Sequence, residues 1–294
     1  MPIRFMLDHA RSSGYGFLRT TVTNLEEIEA VLAAAEETQS PIAFAVNEPE
    51  LRSPRYRSFG SLAIGTAMKS PLPVGVQFDH SDDMTLILRA VRGGYTGIMV
   101  DASHCPFEEN VAVTRKVVEI CHPLNIAVEG EVGLIHRTWD EGLEDKAHEL
   151  TDPDLAGKYV EQTGIDALAV SIGEVSGFDC GDLDIERLKQ IHERLGDKAH
   201  LCLHGVSFIT DENIRACMDN GMTYFGCATE FRSAFFLKLD EIRQKEGPKM
   251  VDPELLFGPA RAAMTEKVAD KIRLLGSDGK ANEVMTSYVS RESK

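Results

Sequence analysis

A few histidines, carboxylates and small hydroxyl residues carry the chemistry available to this sequence. Asp79 and His80 are adjacent. Asp101, Ser103 and His104 form a second group, Glu129 and Glu131 a third, and His204 and Thr229 lie far downstream. Imidazole together with carboxylate suits a divalent cation: Zn²⁺ first, with Mn²⁺, Fe²⁺ or Co²⁺ as alternatives. His80 and His204 with Asp101 and Glu131 make such a set. Three further stretches pair glycine with hydroxyls: Gly173-Glu-Val-Ser-Gly177, Gly205-Val-Ser207 and Gly226-Cys-Ala-Thr229. Turns of that composition after consecutive strands can offer backbone N–H groups to a phosphate.

These residues must be positioned by regular elements, and the hydrophobic periodicity supplies them. Strand-like segments fall at 16–23, 41–47, 73–79, 96–101, 126–132, 167–172, 200–204 and 223–228. Helix-period segments separate them at 24–38, 81–92, 107–121, 153–163, 184–195 and 211–220. Asn24, Asp152 before Pro153, and Thr210 are placed to cap helices. Eight strands, each followed by a helix, predict an α/β fold, a (β/α)₈ TIM barrel. A doubly wound sheet is disfavoured because Leu18–Asn24 lacks the glycine-rich turn that such folds carry after the first strand. Residues 1–250 are expected to form the barrel domain and 251–276 a helical extension, with a polar, mobile tail over 277–294.

A barrel keeps its chemistry at the carboxyl ends of its strands. That rule gathers Asp79 and His80, Asp101, Glu129 and Glu131, Glu174 and Ser176, His204 and Thr229 at one mouth. Neighbours along a strand face opposite ways, so Asp79 and His80 both serve only if the strand turns there.

The chain has 31 basic and 47 acidic residues among 294, a formal charge of −16. Repulsion from phosphates therefore argues against nucleic acid or an anionic membrane as the main partner. No apolar run is long enough to span a bilayer. Six cysteines without a C-x-x-C pair, and no secretory signal at the start, predict reduced thiols and a cytoplasmic location.

Specific motifs add a family resemblance. Segment 72–133 contains QFDHSDD, VDASHCPFEEN and EGEVG. It resembles the class II, metal-dependent ketose-bisphosphate aldolases, which run as LDH, then [VI]D-x-SH-x-PFEEN, then EAELG. Segments 14–42, 151–173 and 201–235 are similar too, so the resemblance covers roughly residues 5–245. It implies a (β/α)₈ barrel and a lyase that cleaves or condenses a ketose phosphate through a metal-stabilised enediolate. Asp79 would be the proton-transfer residue, His80 and His204 zinc ligands, and Asp101 and Glu131 the acids near the metal. Gly177, Gly205, Ser207 and Thr229 would cradle phosphate, with Asn24 and Asn47 at positions that contact substrate. The resemblance also implies a small-molecule substrate and a homodimer or homotetramer.

The departures from the family pattern are informative. The family G-T-x-H-G becomes Gly173-Glu-Val-Ser-Gly177, so Ser176 stands where a third zinc-binding histidine is expected, and Glu174 is the first candidate to substitute. The family glycine-rich loop after strand five becomes 134–145, in which His136, Arg137 and Trp139 are candidate substrate contacts. These changes predict a substrate other than fructose 1,6-bisphosphate. Two alternatives remain. One is an isomerase, epimerase or lyase acting on a non-phosphorylated keto compound. The other is a silent aldolase-like subunit or sugar-phosphate-binding protein.

Overall fold

A computed structural model describes residues 1–53, 58–133, 150–174, 183–247 and 251–292. Helix α1 (Ile3–Ser13) leads into strand β1 (Phe17–Thr21), α2 (Leu25–Thr38) and β2 (Ile42–Asn47). Two helices follow, α3 (Glu48–Arg52) and α4 (Phe59–Lys69), and then the alternation is regular. It runs β3 (Val74–Ser81), α5 (Met84–Gly93), β4 (Gly97–Val100), α6 (Phe107–Cys121), β5 (Ala127–Val132), α7 (Pro153–Thr163) and β6 (Ala167–Val170). After these come α8 (Ile185–Leu195), β7 (His200–Leu203), α9 (Asp211–Asp219), β8 (Met222–Gly226) and α10 (Thr229–Glu246). Two C-terminal helices complete the chain, α11 (Pro253–Leu275) and α12 (Ala281–Glu292).

The strands form a closed parallel barrel in chain order, and β8 pairs back onto β1. The TIM-barrel expectation is met. Strand alternation divides the side chains into two environments. Leu18, Phe44, Phe78, Ile98, Val128, Leu168, Leu203 and Phe225 belong to the core shared with the helices. Phe17, Ala43, Met99, Ala127, Ala167, Ala169, Cys202 and Tyr224 pack in the barrel interior.

Helix α1 stops the lower end. Its Ile3, Met6, Leu7 and Ala10 pack on that interior cluster. The approach is close: a Cβ on Gly75 or Gly97 would come within 2.6 or 2.7 Å of the Ile3 side chain. Only glycine leaves room for the helix there.

The expected caps are present. Asn24 accepts from the Glu27 amide, Asp152 from Leu155 and Thr210 from Asn213. One helix start differs from its sequence prediction. The helix placed at residue 81 begins at Met84, capped by Asp83, because β3 runs on through His80 to Ser81.

Helix α11 covers 253–275 as one continuous element and packs on α2 and α10. Arg261 pairs with Glu26 at 2.5 Å and Lys271 with Glu230 at 3.1 Å. The stretch 277–294, read from sequence as a polar tail, holds helix α12, whose Ala281 and Val284 are buried. Its Tyr288 meets Phe5 of α1 edge-on. A few apolar contacts made by an otherwise polar helix order this segment, and their spacing is too sparse to stand out in sequence. Among the described residues, no helix is long and apolar enough to cross a membrane.

Candidate active site

Asp79 and His80 reach the same mouth through a local irregularity of β3. His80 has φ 50°, in the left-handed region, and the pairing of β3 with β4 shifts register between Phe78 and Ser81. A left-handed residue within a bulge breaks the alternation and turns two successive side chains to one side. Holding a non-glycine residue there costs of the order of 1–3 kcal/mol, and such strain is characteristic of functional positions.

His80 Nδ1 lies 2.8 Å from Asp101 Oδ2 and 3.9 Å from Glu131 Oε2. Asp101 is steadied by the Ser103 hydroxyl at 2.7 Å. His80 Nε2 lies 3.0 Å from His204 Nδ1, and His204 Nε2 lies 2.6 Å from Glu129 Oε1. A carboxylate accepts, so Asp101 draws the His80 proton to Nδ1. His204 Nε2 meets both the acceptor Glu129 and the donor Arg19. His80 Nε2 and His204 Nδ1 face each other.

Arg19 completes the network. Its Nη1 contacts Asp79 Oδ1 and lies 3.4 Å from Glu129 Oε2, while Nη2 lies 3.0 Å from His204 Nδ1 and also touches Nε2. Gln77 Nε2 donates to Glu129 at 2.7 Å and to Asp79 at 3.2 Å, and Tyr224 donates to Gln77 Oε1 at 2.7 Å.

Burial alone would raise the pKa of Asp79 and of Glu129. Burial is the largest single influence, but Arg19 acting with His80 and His204 on Asp79, and with His204 and Gln77 on Glu129, outweighs it and holds the two carboxyls below their usual range. Burial, then Arg19, push His204 down to about 4 against the pull of Glu129. His204 is therefore a neutral imidazole, the form that binds metals.

The donor set fits a divalent cation. His80, Asp101 and Glu131 bring one ligand atom each within 4.8 Å of one another, and so do Glu129, Cys202 and His204. The 3.0 Å approach of His80 Nε2 to His204 Nδ1 links the two groups. Carboxylates on the far side of ligating imidazoles are the usual support of a metal site. A third group, Asp82, His104 and Cys105, lies more openly at the rim.

These side chains open into a cavity of about 600 Å³. Asp79, His80, Asp101 and His204 line it, together with Asn47, Gly205, Ser207 and Thr229. Helix α10 starts at the cavity wall without a side-chain cap on Ala228, although Ser207 Oγ accepts from the Glu230 amide at 3.1 Å. Asn24 is absent from the described lining, its side chain being occupied by the α2 cap.

Glu174 is fully buried. One oxygen accepts from the Ile172 amide at 2.8 Å, and the other has no hydrogen-bond partner among the described residues. Burial pushes its pKa up to about 8. It joins none of the three ligand groups. Ser176, Gly177 and the 134–145 loop with His136, Arg137 and Trp139 lie outside the described residues.

Sequence reasoning missed Arg19, Gln77, Tyr224 and Arg232. Glu129 stands out along its strand, but nothing local in the sequence gives it a role. Arg19 sits in an unremarkable strand (Phe-Leu-Arg-Thr-Thr), and its only signal was a charge at a position of inward parity. Arg232 lines the cavity and pairs with Glu27 at 3.0 Å.

Known proteins resemble this chain along nearly its whole length. The class II fructose-bisphosphate aldolase family profile matches residues 1–280. A fructose-bisphosphate aldolase of Geobacillus stearothermophilus is 34% identical over 281 residues, which cover 94% of this chain and 96% of that one. The fructose-bisphosphate aldolase of Thermus caldophilus is 32% identical, covering 94% and 98%. The crystal structure of the YdjI aldolase from Escherichia coli K12 superposes with a TM-score of 0.81 at 32% identity, over 95% of this chain and 98% of that one. With a closed barrel whose mouth gathers histidines and carboxylates, and with matches of this extent, the chain belongs to the class II fructose-bisphosphate aldolase family.

Proposed function

We propose that this chain is a lyase that makes or breaks the carbon–carbon bond of a ketose phosphate, or of a related keto compound, through an enediolate. One observation carries the reading: Asp79 and His80 of β3 and His204 at the end of β7, far apart in sequence, converge on one cavity. His80 and His204 would hold a divalent cation, zinc foremost, with Asp101 and Glu129 supporting the two imidazoles. When bound, the cation supplies Lewis acidity that draws electron density from a substrate carbonyl, an effect worth several kcal/mol.

The other roles belong to the chain. Asp79, kept ionised by Arg19, accepts the proton of the substrate hydroxyl as the carbon–carbon bond breaks, and returns it in condensation. Gly205, Ser207 and Thr229, beside the start of α10, receive an anionic group through N–H and hydroxyl donors.

The β2–β3 side of the cavity presents Asn47, Glu48, Glu50 and Asp82 instead. Carboxylates repel a second phosphate. This supports a substrate with one anionic end and a neutral or hydroxylated other end, rather than fructose 1,6-bisphosphate.

Incubation with dihydroxyacetone phosphate in deuterated water, with Zn²⁺ or Mn²⁺ added, tests the reading. The expected result is exchange at the carbinol carbon, lost in the His80→Ala, His204→Ala double variant. No exchange with either ion would overturn it in favour of a silent subunit or binding protein.

A further inference from the structure

We propose that Arg19 is a resident cation of this site, a positioning residue that competes with a divalent ion for His204 and so sets the affinity of the site for metal. The inference rests on the metal-dependent reading above. The decisive contact is the one between Arg19 and His204. Arg19 Nη2 lies 3.0 Å from His204 Nδ1 and in contact with Nε2, so the guanidinium covers the ring edge that carries both nitrogens. Nδ1 is also the nitrogen that faces His80 Nε2. An ion held by His204 would therefore have to displace the guanidinium from that edge and would sit beside a fixed positive charge.

The barrel is built to hold the guanidinium there. Register places Ala43 on one side of Arg19 and Gly226 on the other. A Cβ at Gly226 would already lie 3.3 Å from Arg19 Nε, so anything larger would crowd the side chain. Tyr224 sets its ring 5.2 Å from the guanidinium carbon. The Arg19 side chain is 3% exposed, and Asp79 and Glu129 give it two carboxylates.

Charge counting gives the arrangement its purpose. Asp79, Asp101, Glu129 and Glu131 crowd one mouth, and buried like charges without a counter-ion are costly. One guanidinium offsets part of that charge and lets the ligands assemble in advance. It also leaves a net negative site that still attracts a divalent ion, though less strongly than four carboxylates alone would.

The test uses full-length protein stripped with chelator: wild type, Arg19→Met and Arg19→Lys. Dissociation constants for Zn²⁺ and Mn²⁺ are measured by competition with a chromophoric chelator, and melting curves are recorded with and without each ion. Arg19→Met is expected to melt lower than wild type without ion, to bind Zn²⁺ at least about tenfold more tightly, and to gain more melting temperature from it. Arg19→Lys keeps the charge and loses the fork, so its affinity should rise by less.

A folded Arg19→Met with wild-type or weaker affinity would overturn the proposal. Should that variant not fold, Arg19→Lys decides: tighter binding than wild type supports the competition, and unchanged binding refutes it. If neither wild type nor variants bind either ion, the metal-dependent reading falls and takes this inference with it. If all bind equally, only the role of Arg19 falls.

Discussion

The lower and upper halves of the barrel interior are made by the same strands, yet they behave as different materials. Along β1, Phe17 lies in the apolar lower layer and Arg19 in the charged upper one. On β3 the sequence of inward positions is Gly75, Gln77 and Asp79. On β5 it is Ala127, Glu129 and Glu131, and on β7 Cys202 and His204. A step of two residues, about 7 Å along a strand, crosses from packing to chemistry. Below, α1 excludes water with Ile3, Met6 and Leu7. Above, Arg19 and Gln77 hold Asp79 and Glu129, while His80 and the Ser103 hydroxyl hold Asp101. The lower half stabilises the barrel, and the upper half spends part of that stability on keeping charges out of water.

Three changes probe that division, in descending order of effect. Asp79→Asn removes the proton acceptor while keeping its shape. The expected loss in turnover is about 10²–10⁴-fold, with a lower melting temperature because Arg19 loses a buried partner; equal turnover in the folded variant would remove Asp79 from the mechanism. Leu7→Ala opens a hole in the lower layer. It should cost about 2–5 kcal/mol in denaturant unfolding and leave the turnover of the folded enzyme unchanged. A large change in turnover would show that the two halves are not separable.

Glu174→Gln tests a carboxyl that lies near the upper layer but outside its network. Its pKa in the folded chain, about 8, exceeds that of an exposed glutamate. The folded state therefore holds a proton that the unfolded state releases. Stability from this group is complete below about pH 4 and declines as pH rises toward 8, by roughly 4–5 kcal/mol. In metal-free protein, Glu174→Gln should flatten this decline in melting curves taken from pH 5 to 8. A variant as pH-sensitive as wild type would place the titration elsewhere.

Much of this was legible in the sequence because period and type are local signals. The inward and outward alternation, the caps at Asn24, Asp152 and Thr210, and helices α6, α7 and α11 follow from patterns a few residues wide. The convergence of Asp79, His80 and His204 followed from strand ends once a barrel was inferred. What stayed hidden depends on contacts between distant strands. Arg19 draws its meaning from Asp79, Glu129 and His204, and no local pattern predicts that pairing. The left-handed backbone at His80 is equally silent, since histidine gives no hint that it will be strained. Helix α1 went unplaced because its apolar residues make sense only against the barrel interior.

The closed strand order also has a meaning in time. Arg19 belongs to the first strand made during synthesis, and its partners are 60 and 185 positions away along the chain. Through most of synthesis that guanidinium has no ring around it. Only when the eighth strand docks against the first do all the charges find one another. The lower layer can begin to collect apolar residues much earlier. Reactivity is thus deferred until the chain is nearly finished, and a truncated product would be a partial scaffold with no working centre.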